Sequence, residues 1–157
     1  MKVRIAASVV LAVGVLLGTS ACNLLVPQAT TIQYDAGDGA NVAVGEMRIL
    51  NAILITDDNQ NANLVVTVAN NSDANQLLNI EVEGPSTSVK NAVPVNNTTL
   101  NVFGSDQAPQ LTFSNVGVQA GALAPVYFQY GDAEGQQLLV PVLTSALGPY
   151  KGLEPVK

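Results

Sequence analysis

The apolar positions divide the chain into an N-terminal apolar run, a stretch without periodicity, and a long series of short strand-like segments. Leu78-Asn79-Ile80-Glu81-Val82-Glu83 alternates strictly, placing Leu78, Ile80 and Val82 on one side and the polar residues on the other, as a half-buried strand does. Leu64 to Val68 is nearly continuously apolar, which suits a central strand. The pattern predicts strands over 42–56, 62–70, 76–83, 88–95, 98–103, 110–114, 116–119, 123–130 and 136–144. Turn-forming clusters separate them, among them Asp57-Asp58-Asn59-Gln60-Asn61, Asn71-Ser72-Asp73-Ala74-Asn75 and Gly131-Asp132-Ala133-Glu134-Gly135. With no fixed repeat and no helical period, this spacing predicts an antiparallel sandwich or barrel. Pro94, Pro125 and Pro141 cannot donate to a ladder and are expected at edges, strand starts or bulges.

The first 21 residues read as an export segment. Lys2 and Arg4 precede an apolar run from Ile5 to Leu17, and small residues Gly18-Thr19-Ser20-Ala21 lead to Cys22. The run is shorter than the ~20 residues that span a bilayer. Small residues before a cysteine match a bacterial lipobox, in which Cys22 takes a diacylglyceryl group, cleavage follows Ala21, and acyl chains of the palmitate class anchor the chain on the extracytoplasmic face of the cell membrane. Thr19 departs from the Leu, Val or Ile usual three residues before that cysteine. The alternative is a plain secretory signal that leaves Cys22 as an exported thiol, a reactive liability in an oxidising compartment. The expected organisation is a signal peptide over 1–21, a lipidated cysteine and tether over 22–40, a β domain over 41–145 and a loosely held tail over 146–157.

Composition then narrows the chemistry. Of 157 residues only 11% are charged, 12 of them acidic and 6 basic, and there is no His, no Trp and one Cys. Loss of Lys2 and Arg4 with the export segment leaves 4 basic against 12 acidic groups, a net charge of −8. So few and scattered cations do not form the basic face that nucleic acid requires. Without His, the Ser-His-Asp and Cys-His arrangements are impossible. A serine with a lysine base could be sought in Ser86-Thr87-Ser88-Val89-Lys90, but its neighbours read as an exposed edge, where a lysine is not desolvated. Glu81 and Glu83 share one strand face and read as solvated. No glycine-rich phosphate loop is present. No enzyme activity and no cofactor are expected.

Two acidic stretches invite a calcium reading and fail it. Asp35-x-x-Asp38-Gly39 offers two carboxylates, short of the oxygens calcium takes, and reads as an Asx-type turn. In the Asp57 to Asn61 stretch, Ala62 and Val68 stand where an EF-hand needs its glycine and its bidentate glutamate, so a hairpin turn is expected. Tyr127-Phe128-Gln129-Tyr130 puts Phe128 toward the core and leaves Tyr127 and Tyr130 half-exposed, as candidate binding residues.

The lipobox cysteine, the Tyr34-Asp35-Ala36-Gly37-Asp38-Gly39 tether, Val44 to Ala52, and Leu64 to Ser72 together resemble small actinobacterial envelope lipoproteins. Over residues 41 to 144 the chain is similar to the periplasmic copper chaperone family called PCuAC, which implies an all-β, antiparallel Ig-like or cupredoxin-like β-sandwich of about 7–9 strands. That family holds copper with histidines and methionines; here there is no His, and Met47 is expected in the core rather than at a ligand position. The expectation is a membrane-anchored binding or structural module for another envelope protein; the alternative is a metal or small-solute carrier that lacks His and Met ligands.

Overall fold

The computed structural model describes residues 2–21 and 37–156. Cys22 and most of the expected tether lie outside them. Lys2–Ala21 forms one helix, α1. Among the described residues no helix is long and apolar enough to cross a membrane. Residues 37–156 lie in a compact unit of their own.

In that unit the described strands are β1 (Ala40–Val44), β2 (Met47–Ile55), β3 (Ala62–Asn70), β4 (Gln76–Glu83), β5 (Ser88–Val95), β6 (Asn101–Phe103), β7 (Thr112–Phe113), β8 (Leu123–Tyr130) and β9 (Gln136–Leu143). They join in one sheet of order β5-β4-β8-β9-β2-β3-β6, with β1 added on β2 and β7 on β3. The fold is all-β, as the pattern predicts, but one pairing departs from a purely antiparallel sandwich. β2 and β9 run parallel and pair only at Leu54 with Val142 and Ile55 with Leu143. That short seam joins the half made by β5, β4, β8 and β9 to the half made by β2, β3 and β6, and it curls the sheet into a near-barrel.

The sequence pattern treats 42–56 as one strand, and the structure divides it. A two-residue turn at Gly45-Glu46 pairs Val44 with Met47, and Gly45 takes φ of +52° at the first turn position, which suits a tight hairpin. A bulge follows at Asn51, where φ is +50° and the register with β3 shifts between Leu50 and Ile53. Before the bulge, Met47 and Ile49 face the core; after it, Ala52 and Leu54 do. Ile53 and Ile55 therefore point to the opposite side, where they form a second cluster with Leu153. Gly39 sits against the bulge: its N–H donates to Asn51 Oδ1 at 3.0 Å, and a Cβ there would lie 2.6 Å from the Asn51 carbonyl carbon.

The second cluster corrects the expectation of a loose C-terminal tail. Leu153 is 7% exposed and packs on Ile53 and Ile55, with Tyr150 beside them. Leaving those isoleucines in water would cost about 1.5–3 kcal/mol each, so the sheet requires this cover. Buried Asn63 pins it: its Nδ2 donates to the Leu153 carbonyl at 2.9 Å and to the Gly104 carbonyl at 2.8 Å, while its Oδ1 accepts from Leu111 N–H at 3.1 Å. Farther along, Gln110 accepts from Val156 N–H at 2.9 Å. The segment 116–119, expected as a strand, is irregular; Asn115 and Gly117 take φ of +56° and +75°, and Val116 and Val118 are buried as a plug between turns. Pro141 departs from the expected placement, since it lies within β9, opposite Leu123 and in a strand flanked by β8 and β2, whereas the other two prolines avoid a partner on one side. Pro94 lies on the edge strand β5, and Pro125 lies beyond the last β8 residue paired with β4.

Asn63→Ala should therefore lower the unfolding free energy by about 2–4 kcal/mol in urea titrations, because three buried backbone groups lose their partner together. Tyr150 gives a second readout. Its hydroxyl donates to Asp38 Oδ2 at 2.6 Å, and burial, with the acceptor carboxylate second, pushes the phenol from 10.0 up to about 12. The folded state holds this proton more tightly than the unfolded chain does. The contribution is complete below pH 10.0 and is lost as pH rises toward about 12, so Tyr150→Phe should flatten the decline of stability across that window.

Candidate functional site

The outer face of the β5-β4-β8-β9 half is a regular four-stranded surface whose outward side chains are exposed or half-buried. Alternation decides what it shows. Along β8 the outward positions are Leu123, Pro125, Tyr127 and Gln129, while Ala124, Val126, Phe128 and Tyr130 are buried. The β9 register sets Pro141 opposite Leu123, Leu139 opposite Pro125 and Gln137 opposite Tyr127. On the other side, β4 sets Glu81 opposite Tyr127 and Asn79 opposite Gln129. At the edge, β5 brings Lys90 to Glu81, Ala92 to Asn79 and Pro94 to Leu77.

The middle of this face is a shallow depression of about 680 Å3 lined by Asn79, Glu81, Lys90, Ala92, Tyr127 and Gln129. Its polar groups are fixed by one another. Asn79 Nδ2 donates to Gln129 Oε1 at 3.1 Å, and Gln129 Nε2 donates to the Gly131 carbonyl. Ser88 Oγ donates to Glu81 Oε1 at 2.6 Å, and Lys90 Nζ lies 3.3 Å from Glu81 Oε2. The Ser88 bond first, with Lys90 contributing against partial desolvation, holds the Glu81 carboxylate below its usual range. The Ser-Lys pairing considered from sequence is not assembled, since the Ser88 hydroxyl and the Lys90 ammonium both turn to the same carboxylate instead of to each other.

Of the two tyrosines, only Tyr127 reaches this surface. It is 37% exposed, and its ring lies across Gly135, where a Cβ would come within 2.1 Å of the hydroxyl. Tyr130 corrects the expectation of half-exposure, since it is 7% exposed and its hydroxyl accepts from Glu46 N–H at 3.0 Å. A period of two already puts Tyr130 on the side of Phe128, so the tyrosine serves the β1–β2 turn rather than the surface. Asn79, Gln129, Leu123 and Leu139 were not singled out from sequence, because which outward residues become neighbours depends on strand order. The lipidation candidate Cys22 lies outside the described residues.

The Asp57 to Asn61 stretch is the turn between β2 and β3, while Asp35 lies outside the described residues and Asp38 accepts from Tyr150. Asp58 Oδ1 accepts from Gln60 and Asn61 N–H, both at 2.8 Å, and Asp57 accepts from Ser145 N–H at 2.9 Å. Met47 is fully buried in the core. Among the described residues no group of three or more His, Cys, Asp or Glu is placed to hold a metal ion.

Tyr130→Phe should cost about 1 kcal/mol in urea unfolding, because Glu46 N–H loses its acceptor. Tyr127→Phe should stay within about 0.5 kcal/mol of the parent, since its hydroxyl has no partner among the described residues.

No protein-family model matches the sequence, and no curated protein does. Solved structures do match. The apo PCuAC domain from PmoF1 superposes with a TM-score of 0.55 at 13% identity, over 67% of this chain and 99% of that one. The apo PmoF2 PCuAC domain gives 0.53 at 13%, over 74% of this chain and 100% of that one. The copper-bound PCuAC domain from PmoF2 gives 0.52 at 13%, over 67% and 98%. At this identity the likeness is one of architecture, and the chain has a PCuAC-like fold.

Proposed function

We propose that this chain is a non-catalytic binding or structural module, a PCuAC-like domain held at the extracytoplasmic face of the cell membrane by lipid on Cys22, whose partner is another envelope protein and not a metal ion. The observation that carries the reading is the mismatch between scaffold and donor set. One similar domain was solved with copper bound. Soft copper coordination needs imidazole, thiolate or thioether groups. Here the chain has no His, and the methionine of the β domain is sealed in the core. What the scaffold offers outward is a regular face of amides, leucines and one tyrosine around the Glu81–Lys90 pair and Glu83, whose exposed apolar part suits protein contact.

The fold likeness favours a second reading, a metal or small-solute carrier with carboxylate, amide or backbone ligands. Copper titration of residues 22–157 carrying Cys22→Ala separates the two. The binding-module reading expects no saturable site; a sub-micromolar site of one-to-one stoichiometry would establish the carrier. The anchor is tested apart from this, by mass spectrometry of the mature N-terminus from cells. A first residue Cys22 bearing diacylglyceryl mass is expected, and an unmodified thiol there would refute lipid anchoring.

A further inference from the structure

A cleft of about 430 Å3 opens beside the end of β4, lined by Glu83, Pro85, Val118, Ala122, Pro125 and Val142 among others. Backbone hydrogen bonds fix both of its walls. On one side Gly84 N–H donates to the Thr87 carbonyl at 2.8 Å. That turn presses so closely on the segment before β8 that a Cβ at Gly84 would overlap the Val116 carbonyl oxygen. On the other side Gly121 N–H donates to the Val142 carbonyl at 2.7 Å, and Val142 N–H donates to the Ala122 carbonyl at 2.9 Å. Asn59 Oδ1 holds Ala120 N–H at 2.9 Å. The cleft is therefore formed before any partner arrives. Among the described residues that line it, Glu83 alone is charged. It is exposed, no cation among the described residues pairs with it, and its carboxylate accepts one long hydrogen bond, from Gln137 Nε2 at 3.4 Å. Two positions earlier in the same strand, Glu81 has both the Ser88 hydroxyl and the Lys90 ammonium.

We propose that this cleft takes a lysine or arginine side chain of the envelope partner, its cationic head at the Glu83 carboxylate and its aliphatic stem along Val118, Ala122, Pro125 and Val142. Such side chains lay their methylenes on apolar surface while the charge stays at the wet edge, and a carboxylate beside an apolar cleft is the complement of that shape. Burial of the stem supplies what an exposed ion pair lacks, since such a pair alone contributes at most about 1 kcal/mol. Charge over the whole domain favours the same occupant. Residues 37–156 carry 11 acidic and 3 basic side chains, so a cation-bearing partner is drawn toward the domain and an anionic lipid surface is repelled. The long-range field attracts without choosing a position; the cleft decides where the side chain lodges.

The inference rests on the binding-module reading and adds the partner's chemistry. The test uses the full chain in cells, with a photoreactive amino acid in place of Gln119, which is exposed on the cleft lining, and mass spectrometry of the adducts. The expected product is an envelope-protein adduct crosslinked within a few residues of a lysine or arginine. Glu83→Gln should lower its yield at least about fivefold, and Ala122→Phe, which fills the cleft, should do the same. Glu134→Gln removes an equal charge from the turn between β8 and β9, outside the cleft, and should leave the yield unchanged. All three positions are solvent-exposed, and circular dichroism of the purified variants identifies any that does not fold. An adduct indifferent to Glu83→Gln, equal losses from Glu83→Gln and Glu134→Gln, or a crosslinked peptide without lysine or arginine overturns the proposal. No adduct at position 119 with capture of an envelope protein still seen at position 127 removes the cleft alone; no adduct at either position removes the binding-module reading with it.

Discussion

The structure turns on β2 having to be buried on both faces. The bulge at Asn51 makes this possible by passing the core side from Met47 and Ile49 to Ala52 and Leu54, which leaves Ile53 and Ile55 facing outward. An uncovered pair of isoleucines would be unfavourable and prone to association, so the chain must return to cover them. Residues 148–153 do so, and the amide of Asn63 holds them there from within β3. The short parallel seam between β2 and β9 lies beside the same half of β2. Sheet closure, the C-terminal cover and the entry of the chain at Gly39 thus all meet around one distorted strand.

Amide side chains supply much of what regular structure does not. Asn70 donates to the Ala74 carbonyl at 2.9 Å and accepts from Ser72 N–H at 3.0 Å. Asn101 accepts from Asn96 N–H at 2.8 Å and donates to the Asn96 carbonyl at 2.9 Å. Asn59 and Asn61 accept from Ala120 and Asn115 N–H. Composition alone suggests that 15 Asn make a neutral-polar surface. Many instead act as local caps for loop backbone, which a neutral side chain does without the desolvation cost of a charge. This accounts for a domain with so few ion pairs among its described residues.

Much of the fold is legible in the sequence because strand alternation is a local property. The bounds of β3, β4, β5 and β8 follow directly from apolar spacing and turn residues. Features that depend on distant partners do not. The Asn51 bulge shows in sequence only as one polar residue in an apolar run, and the burial of Leu153 depends on two isoleucines nearly a hundred positions earlier. Tyr130 illustrates the other kind of miss: its parity with Phe128 places it inside, yet its hydroxyl suggests the surface until the N–H of Glu46 is seen to meet it. The outer face was legible residue by residue, as at Tyr127, but which of its residues become neighbours is set by strand order.

The outer sheet face is regular and partly apolar, with its charges confined to the Glu81–Lys90 pair and Glu83. On this account the function resides in the outward row from Leu123 to Gln129. The most direct test places a photoreactive amino acid at Tyr127 in one strain and at Val102 in another, with irradiation of living cells and mass spectrometry of the adducts. The account predicts a dominant adduct with another envelope protein from position 127 and little from position 102. Equal capture at both positions, or capture at 102 alone, would contradict it.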